Sequence, residues 1–262
     1  CDIDPDLATL YVQSDVPEIT ELYLLLNMNA YVGELELTTS FKDKVRKQPE
    51  NVNAGLLTYP VLMAADIIIH KANKVPVGKD QEQNLEMARK FAKRFNRMYQ
   101  EDYFPIPDPF SFSGQLIKIA GLDGSGKMGK SEGNAINLAD DEKTIRKKIM
   151  RAVTDTGPTE MNTPPTEPIQ NLFTLMEVAS EPDVLVHFKE AYAKCEIRYG
   201  DLKKQLAEDV VKLTAPFRER IQEIDADKDY LSRVVKQGRE KARESASKTL
   251  TEVRKHMGFR AF

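Results

Sequence analysis

The sequence predicts an α/β body built on a parallel sheet, followed by an all-helical C-terminal region. Three observations carry that prediction. Short β-rich runs alternate with helical patterns through the first half. A proline-rich stretch from Thr154 to Pro168 then interrupts the pattern. Beyond it, apolar residues recur only at three- and four-residue steps. The chain is accordingly divided into 1–153, the α/β part, and 154–262, the helical part.

Taken in order, Thr9-Leu10-Tyr11-Val12-Gln13-Ser14 alternates as a strand would. Pro17 opens an apolar helix, Glu18 to Ala30, because its missing N–H costs nothing in a first turn. The segment Gly33 to Lys47 is polar and then strongly basic. Pro60 starts a second helix that is apolar almost all round, and Lys74-Val75-Pro76-Val77-Gly78 is a short strand closed by a glycine. Asp80 with Gln83 has capping-box spacing and begins a third helix, with an apolar stripe of Leu85, Ala88, Phe91, Ala92, Phe95 and Met98. From Phe104 to Gly126 the chain reads as loops around one strand, Leu116 to Ala120, before a helix from Asp140 to Ala152. Two long helical stripes complete the chain. One is Leu202, Leu206, Val210, Leu213, Phe217, Ile221 and Ile224; the other is Leu231, Val235, Leu250, Val253 and Met257.

Composition narrows the function. A 41% hydrophobic and 30% charged chain of 262 residues is suited to burying a core, and no apolar run is long enough to span a membrane. Two cysteines and three histidines are too few for a disulfide framework, a four-ligand zinc site or an iron–sulfur cluster. No segment reads as a signal peptide, so the cytoplasm is the expected location. The net charge of −3 hides an asymmetry: Arg233 to Phe262 carries nine Lys or Arg against three acids. A basic end on an acidic body is compatible with a polyanionic partner, although from charge alone a solvated helix face is the favoured reading.

Three features carry candidate chemistry. Asp66 lies within Met63-Ala64-Ala65-Asp66-Ile67-Ile68-Ile69, where an unpaired carboxylate is costly and needs a donor from the protein or a ligand. Val75-Pro76-Val77-Gly78-Lys79-Asp80-Gln81 ends a strand and begins a helix, the place where α/β folds bind nucleotides. There Asp80 is positioned to accept from ribose hydroxyls and Gln81 to bond a polar substrate, although a plain strand–turn–helix joint explains the same residues. Gly121-Leu122-Asp123-Gly124-Ser125-Gly126-Lys127-Met128-Gly129-Lys130-Ser131 is a glycine-rich loop with two lysines, suited to a departing pyrophosphate. It is not read as a Walker A loop, although Gly124 to Ser131 contains Gly-Lys-Ser at that motif's spacing.

Together these motifs resemble a known family. Lys127-Met128-Gly129-Lys130-Ser131 is similar to the KMSKS signature of class I aminoacyl-tRNA synthetases, and Val75 to Glu86 resembles the VPVGEDQxQHLE stretch of bacterial tryptophanyl-tRNA synthetases. Gly55 to Pro60 with Leu62 to Ile67, Phe41-Lys42-Asp43-Lys44, Lys147-Lys148-Ile149 and Ala152-Val153-Thr154-Asp155 match that family in the same order. The resemblance implies a Rossmann-type nucleotide-binding domain over 1–153 and a tRNA anticodon-binding domain over 154–262. It implies that Asp66 accepts the indole N–H of L-tryptophan, Met63, Val75 and Val77 line the ring, and Tyr59 and Gln81 hold its ammonium and carboxylate end. Gly78, Asp80, Ile119, Met128 and Ser131 are implied at ATP, with Lys127, Lys130 and Lys44 on the phosphates alongside Mg²⁺. No residue is implied as a protein ligand to the metal. The implied partners are ATP, L-tryptophan, tRNA(Trp) and a second copy of the chain.

Departures accompany the matches. Gly129 replaces the signature's serine and Asn84 stands where the family usually has His. The family's other signature, HIGH or T-x-G-N, is absent between Cys1 and Leu56. In the family that segment precedes the position where this chain begins. The domain is therefore expected to be N-terminally incomplete and the polypeptide alone inactive in forming adenylate. Two rivals remain: a tyrosyl-tRNA synthetase, disfavoured by the apolar Val75 and Val77, and a non-catalytic RNA-binding module using Arg233 to Arg260, with Lys236, Arg239 and Arg243 as phosphate contacts.

Overall fold

The computed structural model describes residues 3–78, 81–110, 117–126, 128–130 and 132–260. Packing divides the chain into two compact units. One comprises Asp2–Gly114 together with Leu231–Phe262; the other is Gln115–Tyr230. The division thus falls twice, and not once after Val153, because the last helix packs on the first unit.

In the first unit, α1 (Glu18–Asn27) begins at Pro17 as expected and ends three residues before Ala30. Its buried face, Ile19, Leu22, Leu25 and Leu26, packs on α4 (Ala54–Ile68). Between them lie α2 (Val32–Glu36) and the basic α3 (Thr39–Lys47). Pro60 does not start α4 but sits inside it; the helix opens at Asn53, whose side chain accepts from the Leu56 N–H at 3.0 Å. That cap satisfies one of the orphan amides at the helix start.

The short strand β1 (Lys74–Pro76) leads into α5 (Glu82–Tyr99), which returns to β2 (Asp108–Phe110). The two strands pair in parallel with Val75 opposite Pro109, so β1-α5-β2 is one βαβ unit. β2 falls where the sequence predicts loop, because a three-residue strand containing Pro109 has no period to detect. Leu85, Ala88, Phe91, Ala92 and Phe95 are buried on α5 as the stripe predicts, while Met98 is exposed. Gln83 Oε1 accepts from the Thr39 N–H and Oγ1 at 2.8 and 2.6 Å; its expected capping-box partner is Asp80. Asp80 lies outside the described residues.

Two further expected strands do not form. Residues 9–12 are irregular and pass into a 3₁₀ turn, Gln13–Asp15, because Leu10 and Val12 face solvent and no strand among the described residues pairs with them. Residues 117–120 are irregular as well, and Leu116 lies outside the described residues.

The long α10 (Lys228–His256) closes the first unit with Gly238, Ala242, Ala246, Leu250 and Val253 buried. Gly238 is required: a Cβ there would stand 1.7 Å from the Leu10 carbonyl oxygen. In the second unit α6 (Glu142–Met150), capped by Asp141, packs with α7 (Glu167–Ala179), α8 (Pro182–Ala193) and α9 (Tyr199–Ala226). Their core includes Ile145, Ile149, Phe173, Met176, Leu202 and Leu206. On α9 the buried face drifts to Val211, Thr214 and Arg218, leaving Leu213 and Phe217 partly exposed. Arg218, 7% exposed, reaches Glu142 at 3.7 Å. No helix among the described residues is long and apolar enough to cross a membrane.

Candidate active site

Three helices of the first unit surround a cavity of about 560 Å³, within the range of small-molecule sites. α3 presents Ser40, Phe41 and Lys44, spaced to share one helix face. α4 presents Leu56, Tyr59 and Met63, again on one face. The start of α5 contributes Gln81 and Asn84. Four residues singled out in the sequence, Lys44, Tyr59, Met63 and Gln81, thereby meet in one cavity. The Thr39–Gln83 bonds tie α3 to the first turn of α5 and hold two walls together.

Asn84 is 9% exposed and donates to Gln81 Oε1 at 2.8 Å. That bond fixes the orientation of the Gln81 amide. Its residue type departs from the family pattern, but its position is built into the site. Gly78 accepts from the Gln81 N–H at 2.9 Å, closing the turn before α5. Val75 and Val77 are half-buried on and just after β1; neither they nor Gly78 line this cavity.

Asp66 lies one helical turn beyond Met63 and is half-buried. Its partner is Gln13, whose Nε2 donates to both carboxylate oxygens at 2.7 and 2.8 Å. Desolvation raises its pKa above the ordinary aspartate value, against the opposing effects of the Gln13 hydrogen bond and the nearby His70. His70 sits between Tyr11 Oη at 2.9 Å and Ser245 Oγ at 3.2 Å, and burial lowers its pKa. Gln13, Tyr11 and His70 were not identified as site residues in the sequence. Gln13 and Tyr11 lie 53 or more residues before Asp66, so no local pattern joins them to it, and His70 lies in the turn that follows α4.

The lysine loop belongs to the second unit. Asn134, 7% exposed, organises it. Its Nδ2 donates to Asp123 Oδ1 at 3.0 Å and Ser125 Oγ at 2.9 Å, while its Oδ1 accepts from the Gly129 N–H at 2.9 Å. Those bonds hold the Asp123 carboxyl below its usual range, chiefly through Ser125 and then Asn134. Gly121 is needed for this closeness, since a Cβ there would lie 2.2 Å from Asn134 Nδ2. Met128 and Lys130 follow in the loop, with Lys130 exposed, and Ile119 packs on the core of this unit. Lys127, Ser131 and Asp80 lie outside the described residues. Downstream, Asp155 accepts from the Gly157 N–H, Thr166 Oγ1 and the Tyr199 hydroxyl, and the Val153 N–H donates to Leu122 O at 2.9 Å. The lysine loop is thus anchored to the segment that precedes α7.

The basic end is partly neutralised within the protein. Arg243 and Ser247 of α10 donate to Glu18 Oε1, and Arg254 pairs with Glu21. Desolvation raises the Glu18 carboxyl, but its own backbone amide, Ser247 and Arg243 together hold it below the usual range. Arg243, one of the expected phosphate contacts, ties α10 to α1 while its side chain stays exposed, as those of Lys236 and Arg239 do.

Comparison with known proteins follows this geometry. Residues 1–215 match the family model of class I tRNA synthetases (W and Y). The chain is 66% identical over 260 residues to the tryptophan–tRNA ligase of Porphyromonas gingivalis, covering 99% of this chain and 80% of that protein. It is 37% identical to the Fusobacterium nucleatum tryptophan–tRNA ligase, covering 98% of this chain and 77% of the other. The structure is similar to Campylobacter jejuni tryptophanyl-tRNA synthetase complexed with ADP and tryptophan. That similarity has a TM-score of 0.82 at 33% identity, over 98% of this chain and 78% of that one.

Proposed function

The chain belongs to the class I tRNA synthetase family of the tryptophan and tyrosine enzymes, and we propose that its reaction is the ATP-dependent activation of L-tryptophan and its transfer to tRNA(Trp). The observation that carries this reading is the cavity where Lys44, Tyr59, Met63 and Gln81 converge from three helices. An apolar wall beside an amide and an ammonium matches an amino acid presented to a nucleotide.

In the first step a carboxylate oxygen of tryptophan attacks the α-phosphorus of ATP, the bond to the bridging oxygen breaks, and pyrophosphate leaves. In the second, a hydroxyl of the tRNA 3′-terminal adenosine attacks the adenylate carbonyl carbon and AMP leaves. No protein nucleophile is required; positioning and charge stabilisation supply the rate. Tyr59 and Gln81 orient the amino-acid end, and Asp66 accepts the indole N–H, with Met63, Val75 and Val77 against the ring. Asp80 contacts the ribose, Gly78 allows close approach of the backbone, and Ile119, Met128 and Ser131 serve the nucleotide. Lys44, Lys127 and Lys130 neutralise charge gathering on the phosphates. Mg²⁺ enters with ATP as part of the substrate; among the described residues no group of three His, Cys, Asp or Glu side chains is placed to hold it.

The helices after residue 154 serve tRNA, with exposed Lys236 and Arg239 among the phosphate contacts. The enzyme works as a homodimer in the cytoplasm, where tRNA is charged.

The chain contains no Trp, so excitation selective for indole reports added L-tryptophan without protein background. A saturable change in tryptophan anisotropy, followed by ATP-dependent charging of tRNA(Trp) and not tRNA(Tyr), is the expected result. Absence of any anisotropy change, or charging of tRNA(Tyr) alone, overturns the proposal.

A further inference from the structure

We infer that Gln13 is a positioning residue for substrate selection, acting through Asp66 to hold the acceptor that distinguishes an indole N–H from a ring without one. The inference rests on the proposed role of Asp66.

Both Asp66 oxygens accept from the same Gln13 nitrogen, at 2.7 and 2.8 Å, and this fixes the plane of the carboxylate. Without such a contact the terminal torsion of an aspartate is broad. Gln13 is itself held. It begins the 3₁₀ turn Gln13–Asp15, its carbonyl accepts from the Val16 N–H at 3.1 Å, and Val16 is fully buried. The donor's chemistry matters as much as its position. A Lys or Arg in this place would neutralise Asp66 and compete with a ligand donor. A neutral amide orients the carboxylate and leaves its charge, and its remaining lone pairs, available to a ligand N–H. Desolvation works against the ionised form of Asp66 and the Gln13 bond works for it. An analogue lacking the N–H would leave those remaining lone pairs of a half-buried acceptor without a donor, and that is a stronger basis for rejection than shape alone.

The test measures the affinity of two probes by isothermal titration calorimetry: L-tryptophan and β-(benzo[b]thiophen-3-yl)alanine, in which sulfur replaces the ring N–H. In Gln13→Leu the preference for tryptophan is expected to fall about tenfold, the scale of one hydrogen bond to a charged group, through loss of tryptophan affinity alone. Gln13→Asn, which keeps the amide on a shorter stem, is expected to retain part of the preference. It also serves as the readout if Gln13→Leu fails to fold by thermal melting. Equal weakening of both probes, or an unchanged preference, overturns the inference by reducing Gln13 to a packing residue. If the unsubstituted protein itself shows no preference for tryptophan, the failure lies with the proposed function.

Discussion

Asp66 carries a stability response to pH and, in its proposed role, a binding response as well. Burial raises its carboxyl above the ordinary aspartate value, against Gln13 and His70. A carboxyl raised on folding favours the folded state below its unfolded pKa, and that contribution is lost as pH rises through the folded value. At neutral pH the ionised group therefore costs stability. Asp66→Asn is expected to keep or raise the thermal midpoint at neutral pH while weakening L-tryptophan binding about tenfold. In the unsubstituted protein, affinity is expected to fall on acidification sooner than an ordinary aspartate would allow. Melting curves and calorimetric titrations between mildly acidic and neutral pH check both statements; a variant that loses stability yet binds normally contradicts them. The need for a donor at Asp66 was legible from its apolar neighbours. The donor's identity was not, because Gln13 reaches it only through the folded path of the chain.

At the scale of elements, the long helices and β1 were legible, whereas α2, α3 and β2 were not. The stripes on α1, α5 and α6 follow the 3.6-residue period, and their buried faces match the apolar positions. Strand pairing depends on a partner elsewhere in the chain, so the alternation at 9–14 had no structural consequence and the brief β2 left no signature. On α10 the apolar residues named from the sequence were only part of the packing face. The small residues Gly238, Ala242 and Ala246, four apart, complete it and let the chain at Leu10 approach the helix backbone. Gly238→Ala places a methyl group against a backbone carbonyl, a contact that cannot be relieved by rotating a side chain. Moving the two elements apart is expected to cost about 1–3 kcal/mol, typical of overpacking. Urea denaturation of the pair of proteins measures it, and equal midpoints would show that the 9–12 segment can shift freely.

Across the whole molecule, surface composition bears on assembly. On and after α1, Leu24, Met28, Tyr31 and Val32 are 56, 65, 63 and 56% exposed, although the same helix buries its other face completely. Apolar residues gathered in this way are a common mark of a protein contact. The proposed homodimer would cover them, and Met28→Glu, which adds a charge to that surface, is expected to shift sedimentation from dimer to monomer without lowering the thermal midpoint of the monomer. A protein that sediments as a monomer before substitution refutes this assignment. The charge asymmetry also changes meaning at this scale: Arg243 and Arg254 meet the acids at the start of α1, so the basic end is in part an internal fastening.

The sequence by itself determined the family and the long helices, and it named the side chains proposed to carry chemistry, because motif spacing and helical period are local properties of the chain. Tertiary structure alone decided which of those side chains meet. It gathered Lys44, Tyr59, Met63 and Gln81 around one cavity, paired Asp66 with Gln13, and returned α10 to the first unit. These outcomes depend on burial and on contacts between residues far apart in the chain. Such contacts are settled by the packing of all the elements together, and no single segment encodes them.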